Sequence, residues 1–165
     1  MLLTSTKLNY GFNLTKPLIF EVIAFLIFFF FKYLVSSILE SIYRKSRIKD
    51  VDKFTGEQFE NWLKVLFEDY GFQVEKTKRT GDYGADLILK KGNDKIAVQA
   101  KRYKGNVGVK AVQEVIGSAK YYGCNGAVVC TNSYFTENAK NLAKANEVIL
   151  YDRDKLIELS LGRNK

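Results

Sequence analysis

The sequence contains no histidine, and this absence excludes several classes of enzymatic machinery. Without imidazole there is no Ser-His-Asp or Cys-His arrangement, no histidine general base and no zinc site with a histidine ligand. Two cysteines do not make a disulfide scaffold. A single proline and an aromatic content of 14% argue against a disordered chain.

Positive charge is concentrated at the amino-terminal end. The chain carries 26 Lys and Arg against 18 Asp and Glu, a formal net charge of +8. Residues 1–49 hold seven basic and two acidic side chains, whereas residues 50–165 hold 19 basic and 16 acidic ones. A length of 165 residues allows one ordinary domain with an appendage. The basic first third therefore needs an explanation of its own.

Residues 18–39 form a long apolar run, LIFEVIAFLIFFFFKYLVSSIL, of which 18 of 22 residues are apolar. As a helix this run would reach roughly 33 Å, about the thickness of a bilayer's hydrocarbon core. Lys32 lies inside the run, but its long aliphatic stem allows the ammonium to reach the interface. The pattern predicts a single transmembrane helix.

Two other interpretations of the apolar run remain open. One is a buried helix of a soluble protein, although the residues that follow already suffice for a complete domain. The other is a cleaved signal peptide ending near Val35, Ser36 and Ser37, although seventeen residues before the run make a long leader. We favour a membrane anchor.

The flanking charges predict an orientation for this anchor. Two bases precede the run and four follow it, namely Lys7 and Lys16, then Arg44, Lys45, Arg47 and Lys49. By the positive-inside rule, the amino terminus lies outside and the remainder of the chain in the cytoplasm of a single-pass membrane protein. We therefore expect an anchor with a basic juxtamembrane segment over 1–49 and a folded domain over 50–165.

The folded domain reads as alternating helices and strands after a short linker at 50–54. A capping box of Thr55 and Gln58 starts the first helix, which Gly71 ends. Strands are expected at 72–77, 85–90, 95–102, 126–131 and 148–151, and further helices at 109–122, 136–146 and 153–161. The order α-β-β-β-α-β-α-β-α predicts an α/β fold with a mixed central β-sheet flanked by helices.

Three polar residues interrupt the apolar strands of the predicted hairpin, namely Asp86, Gln99 and Lys101. Gln99 and Lys101 are two residues apart and share a face of the sheet. A turn at Gly92-Asn93 would place Asp86 opposite Gln99, and a turn one residue later would place it opposite Lys101. Either register brings the three side chains within reach of each other.

A carboxylate, an amide oxygen and an ammonium on one face suit phosphodiester chemistry. The oxygens fit Mg²⁺, which accepts phosphate as a further ligand. The Lys101 ammonium can stabilise charge that develops on a phosphate under attack by water. Glu60, from the first helix, could hold a water or a second cation.

Several separated motifs closely resemble the Mrr-like restriction endonuclease catalytic domain, over about residues 55–159. They are GEQFE (56–60), TGDYGADLI (80–88), VQAKRY (98–103), VQEVIG (112–117), TNSYFT (131–136) and LYDR (150–153). That family belongs to the PD-(D/E)xK nuclease superfamily, which includes Holliday-junction resolvases. The resemblance implies a restriction-endonuclease-like core and Mg²⁺-dependent hydrolysis of DNA, with Mn²⁺ as an alternative ion.

The resemblance also implies a role for each matching residue. Asp86 is the main metal ligand, with Gln99 and the Ala100 carbonyl as further ligands. Lys101 is the catalytic lysine and Glu60 the helix-borne acid, while Gln113 supports the site from the next helix. Ala85 stands where the superfamily has proline, and Gln99 where it usually has a carboxylate, so this is a QxK variant.

Double-stranded DNA is the expected partner of the folded domain, through basic residues near the site: Lys78, Arg79, Arg102 and Lys104. A lipid bilayer is the expected partner of residues 18–39, and a homodimer remains open. The expected function is a membrane-anchored, type IV Mrr-like DNA endonuclease. The alternatives are a catalytically weak or inactive nuclease-fold module that tethers DNA at the membrane, and a Holliday-junction-resolvase-like nuclease.

Overall fold

Residues 16–77 and 84–162 are described by the computed structural model of the protein, with side chains from Ile19 onward. The chain divides into two compact units, one ending at Leu39 and the other beginning at Glu40. Helix α1 (Lys16–Lys45) contains the apolar run. The most apolar 18-residue window of its membrane-length stretch, Ile19–Lys45, has a mean hydropathy of 2.3, and none of the residues in that window is buried. By length and composition, this helix can cross a membrane.

The second unit is built on a five-stranded sheet in the order β1-β2-β3-β4-β5. The strands are β1 (Gln73–Lys76), β2 (Leu87–Lys91), β3 (Asp94–Lys101), β4 (Gly126–Thr131) and β5 (Ile149–Tyr151). The first three are antiparallel neighbours, and β3, β4 and β5 run parallel. Helix α4 (Val109–Tyr121) joins β3 to β4, and α5 (Glu137–Ala145) joins β4 to β5. The predicted mixed sheet is confirmed.

Helices cover both faces of the sheet because apolar side chains alternate along its strands. Leu87, Leu89 and Val98 pack with α3 (Gly56–Asp69) and α6 (Arg153–Gly162) in one core. Ile88, Ala97 and Val129 pack with α4 and α5 in the other. Each face of β3 therefore packs against a different helix layer. Every polar side chain of β3 must point towards one of these two layers.

Helix α3 begins where the capping box predicts. Thr55 Oγ1 accepts a hydrogen bond from Gln58 N at 3.2 Å, and Gln58 Oε1 accepts one from Thr55 N at 2.8 Å. After α3, Gly71 has φ +83°, the left-handed conformation that ends many helices.

The segment before α3 differs from the linker expected at 50–54. A short helix, α2 (Ile48–Val51), occupies its start. Ile48 and Val51 lie three residues apart, so one helical face buries both of them against the α3 side of the core. Half-buried Tyr43 also packs there. The compact folded unit accordingly includes residues before α2, from Glu40 onward.

Candidate active site

The β2–β3 hairpin selects one of the two registers allowed by the sequence. Leu87 lies opposite Val98 and Lys91 opposite Asp94, which leaves Gly92 and Asn93 as the turn. One residue beyond the ladder, Asp86 N donates to Val98 O at 2.8 Å. The same register, continued, brings Asp86 opposite Gln99.

Asp86 and Gln99 meet directly on the face of the sheet that packs against α4. Gln99 Nε2 donates to Asp86 Oδ2 at 2.5 Å, and Ala100 N donates to the same oxygen at 2.7 Å. Gln99 is only 4% exposed, whereas Asp86 is half-buried. The two side chains are thus held together in a largely dry environment, where electrostatic interactions are strong.

Lys101 follows Gln99 by two residues on the same face of β3, and α4 supplies its partner. Lys101 Nζ lies 2.7 Å from Glu114 Oε2, while Lys110 Nζ lies 3.9 Å from the other carboxylate oxygen. The side chains of Lys101 and Glu114 are 35% and 28% exposed, so both reach solvent. The ion pair therefore restrains Lys101, whose side chain stays partly exposed.

Glu114 was missed by the sequence-based prediction, which selected its neighbour Gln113. Helical spacing carried the signal, because Ala111 and Ser118 lie three residues before and four residues after Glu114, and both are buried. An acidic residue on this buried face of the helix is unusual and indicates a basic or hydrogen-bonding partner. Gln113 is exposed, and its supporting role stays a prediction.

The approach of the chain to Asp86 depends on Gly84. This residue has φ +92°, and a Cβ added there would lie 2.8 Å from Glu114 Cβ and 2.9 Å from Glu114 O. Only glycine combines that backbone conformation with so close a contact. The contact places the segment leading to Asp86 directly against the turn of α4 that carries Glu114.

Glu60 is carried by α3, on the opposite side of the sheet from α4. Its carboxylate pairs with Lys76 of β1, at 3.0 Å between Oε2 and Nζ. The role expected of Glu60 as a helix-borne acid stays a prediction, to which the structure adds a basic partner on the edge strand.

A cleft of about 510 Å³ opens beside the end of β3. Its walls include Ala100, Lys101 and Glu114, together with Arg102, Tyr103 and Asn106. The Lys101 ammonium can therefore reach a ligand bound in this cleft, which is hereafter called the lysine cleft.

The oxygen atoms around Asp86 fit a hard divalent cation. Gln99 Oε1 is buried and has no hydrogen-bond partner among the described residues, a costly state unless another group satisfies it. Rotation of the amide exchanges its oxygen and nitrogen, so Oε1 can face Asp86 in place of Nε2. No group of three or more Asp, Glu, Cys or His side chains within 19–77 and 84–162 is arranged to hold a metal. A cation beside Asp86 would therefore draw on amide and carbonyl oxygens.

Two of the four basic residues expected to bind DNA lie at the end of β3. Arg102 lines the lysine cleft and is half-buried, and Lys104 is exposed. Lys78 and Arg79 lie outside the described residues. The assignment of all four residues to DNA binding stays a prediction.

A second polar network next to Arg102 was not anticipated from the sequence. Asp52 accepts hydrogen bonds from Arg153 Nη1 at 2.7 Å and Nη2 at 2.8 Å, and from Asn132 Nδ2 at 3.0 Å. The hydrogen bonds from Arg153 hold the pKa of the Asp52 carboxyl below its usual range. Asp52 and Arg153 are 101 positions apart in the chain, and their hydrogen bonds thereby connect the segment before α3 to the start of α6.

Comparison with known proteins assigns most of this second unit to one family. The family described as "Restriction endonuclease", of the Mrr catalytic type, matches residues 51–160. The type IV methyl-directed restriction enzyme EcoKMrr of Escherichia coli K12 is 32% identical over 92 residues. That match covers 53% of this chain and 30% of the enzyme.

Two solved restriction endonucleases share the fold. The DNA modification-dependent enzyme AspBHI has a TM-score of 0.55 at 21% sequence identity. The match covers 76% of this chain and 35% of the AspBHI chain. MspJI, solved in complex with a 27-mer oligonucleotide, has a TM-score of 0.51 at 19% sequence identity. That match covers 78% of this chain and 31% of the MspJI chain. The chain thus spans about a third of the length of each of these three relatives.

Proposed function

Because the chain belongs to the restriction endonuclease family and is homologous to an Mrr enzyme, we propose that it is a membrane-anchored DNA endonuclease. It hydrolyses phosphodiester bonds of double-stranded DNA with Mg²⁺, or with Mn²⁺ in its place. The main support is the pairing of Asp86 with Gln99 on the sheet face that also carries Lys101. Restriction as the biological role, in the manner of a type IV enzyme, is part of this proposal.

The proposed metal ligands are Asp86, Gln99 and the carbonyl oxygen of Ala100. A divalent ion held there supplies positive charge to a phosphate and increases the acidity of water. The buried, unpartnered Oε1 of Gln99 supports this assignment. Since glutamine is neutral, the ligand set carries one negative charge fewer than the usual pair of carboxylates. We therefore expect the ion to bind weakly until a DNA phosphate adds its own charge.

Lys101 is the residue that stabilises charge on the phosphate under attack. Its ammonium has three N–H donors, of which the ion pair with Glu114 occupies one. The other two N–H groups can rotate to donate hydrogen bonds to a phosphate oxygen in the lysine cleft. Glu114 is a positioning residue in this mechanism because it acts through Lys101.

The membrane part of the proposal rests on α1. A helix of this length and hydropathy, with none of its most apolar window buried, suits a bilayer better than a soluble core. The basic residues that follow it favour a single-pass protein with the nuclease domain in the cytoplasm. The anchor would hold the enzyme at the cell membrane.

Cleavage by the full chain tests the enzymatic proposal. The protein is reconstituted in nanodiscs of zwitterionic lipid and given Mg²⁺ with linear duplex, methylated duplex and four-way-junction DNA. Asp86→Asn and Lys101→Met should each lower the cleavage rate by at least about 100-fold. The matched variants Asp94→Asn, at an exposed position, and Lys140→Met, on α5, should cleave at the wild-type rate.

Each other outcome selects a different function. Equal rates in all five proteins, or no cleavage by any, would refute the enzymatic proposal. DNA binding without cleavage would indicate the tethering module, and cleavage confined to four-way junctions would indicate a resolvase-like nuclease.

A further inference from the structure

A second cleft, of about 520 Å³, lies at the carboxyl ends of the three parallel strands. Arg102 follows β3, Asn132 follows β4, and Arg153 begins the helix after β5, and all three line this cleft. Ligands of open α/β sheets commonly bind at this edge, because the loops after parallel strands meet there. We call it the strand-end cleft.

The charges that line the strand-end cleft favour an anion. It holds the cations Arg102, Lys104 and Arg153 against the single acid Asp52. Both guanidinium Nη atoms of Arg153 are bound by that acid, and Nη1 also donates to Asn132 O at 2.9 Å. Arg153 is therefore neutralised in place, whereas the charges of Arg102 and Lys104 remain available to a ligand.

Arg102 is held in position but keeps donor capacity. Its Nη2 donates to the Asp52 backbone carbonyl at 3.1 Å. Its Nε is buried and has no hydrogen-bond partner within the described parts of the chain. A guanidinium oriented in this way is suited to a phosphate, which accepts several hydrogen bonds from one Arg.

The strand-end cleft adjoins the lysine cleft. Arg102, Tyr103 and Asn106 line both, so the two openings share a wall one residue beyond Lys101. Charges on a single DNA strand recur at about every 3.4 Å of helix axis. A strand whose scissile phosphate lies near Lys101 would therefore carry its next phosphates towards the strand-end cleft.

We propose that the strand-end cleft is a second phosphate subsite, in which Arg102 and Lys104 bind a backbone phosphate that neighbours the scissile one. This inference rests on the proposed DNA endonuclease function and adds a location for the flanking strand. Asp52 and Arg153 form the floor of the subsite and keep Arg102 in place. The ligand is part of a DNA strand and not a free anion.

The salt dependence of DNA binding tests the subsite. The full chain in zwitterionic nanodiscs binds a labelled duplex in EDTA, which prevents metal-dependent cleavage, over a range of KCl concentrations. Lys104→Gln should reduce the slope of log K against log salt by about one, and the double variant Arg102→Gln, Lys104→Gln by about two. The matched control Lys144→Gln, an exposed base on α5, should leave the slope unchanged.

Several results would overturn the subsite. An unchanged slope in Lys104→Gln, which alters an exposed side chain and should leave the melting temperature unchanged, would do so. Equal reductions in Lys104→Gln and Lys144→Gln would indicate diffuse attraction in place of a subsite. Inorganic phosphate bound by the wild type, with unchanged DNA slopes in the variants, would indicate a small-anion site.

Failure of the subsite can be told apart from failure of the proposed function. Wild-type cleavage of the same duplex with Mg²⁺, combined with unchanged slopes, removes only the subsite. Absence of wild-type cleavage removes the endonuclease proposal, whatever the slopes are.

Discussion

At the scale of single residues, the ion pair between Lys101 and Glu114 is the feature most informative about mechanism. Both side chains reach solvent, so the pair contributes little to stability, about 1 kcal/mol or less. Its proposed value lies in restraining an ammonium on a flexible four-carbon stem, since rotamer freedom of a lysine opposes any fixed geometry.

Glu114→Gln should lower kcat by roughly 10-fold to 100-fold and leave KM nearly unchanged, because a misplaced ammonium stabilises the transition state less. Thermal unfolding should change by only a few degrees. The matched control is Glu137→Gln, which removes an exposed carboxylate paired with Lys140 on α5. A kcat equal to that of the wild type would show that Lys101 needs no positioning by Glu114.

Gln99→Glu tests the metal ligands through stability as well as activity. A second carboxylate beside Asp86, at a position only 4% exposed, would repel it. Without metal, the variant should therefore lose about 2–4 kcal/mol of unfolding free energy. Mg²⁺ should then raise its melting temperature more than that of the wild type, because bound ligand stabilises the folded state.

The control for this variant is Gln73→Glu, at an exposed position of β1. It should respond to Mg²⁺ as the wild type does. If Mg²⁺ stabilised Gln99→Glu no more than it stabilises Gln73→Glu, the proposed ligand role of Gln99 would be wrong.

At the scale of secondary-structure elements, the contact between Gly84 and α4 connects the start of β2 with the helix that carries Glu114. The backbone of Gly84 occupies space that any side chain would need. This contact holds the segment before Asp86 against the turn of α4 whose Glu114 pairs with Lys101.

Gly84→Ala should destabilise the fold by about 2–4 kcal/mol, from backbone strain at φ +92° together with overlap with Glu114. Gly92→Ala is the matched comparison, because Gly92 also has positive φ but its Cβ would meet nothing within 4 Å. That variant should lose only about 1 kcal/mol. Denaturant unfolding measures the loss of unfolding free energy in both variants. Equal losses in the two variants would show that the contact of Gly84 with α4 is unimportant.

At the scale of the whole molecule, one apolar helix and one mixed α/β unit combine in a single chain. The apolar helix exposes large side chains along its length, among them Phe20, Phe25, Phe28 and Phe30. Such a surface is unfavourable in water and favourable in lipid. The family match begins only at residue 51, so the apolar helix lies outside the matched residues.

The full chain should remain in the membrane fraction after washes with high salt, which removes proteins held by charge alone. A reporter fused after Lys165 should show cytoplasmic activity, since four bases follow the span and two precede it. Replacement of Lys45, Arg47 and Lys49 by Gln should weaken this orientation. Extraction of the wild type by salt, or periplasmic reporter activity, would contradict the proposed topology.

The sequence by itself determined most of the elements, because their signals are local. The capping box at Thr55, the helical stop at Gly71 and the turn residues Gly92 and Asn93 act within a few positions. Alternation along β3 placed Gln99 and Lys101 on one face, since successive side chains of a strand point to opposite sides. Ile48 and Val51, three residues apart, carry a local helical signal as well, which the linker prediction at 50–54 misses.

Only the tertiary structure decided which side chains meet. The choice of register, the pairing of Lys101 with Glu114 and the bonding of Asp52 to Arg153 join separate elements. Such contacts depend on how helices pack on a twisted sheet, and pairwise spacing in the sequence does not encode that packing distance. The strand-end cleft exists for the same reason: three strands far apart in sequence end side by side in the sheet.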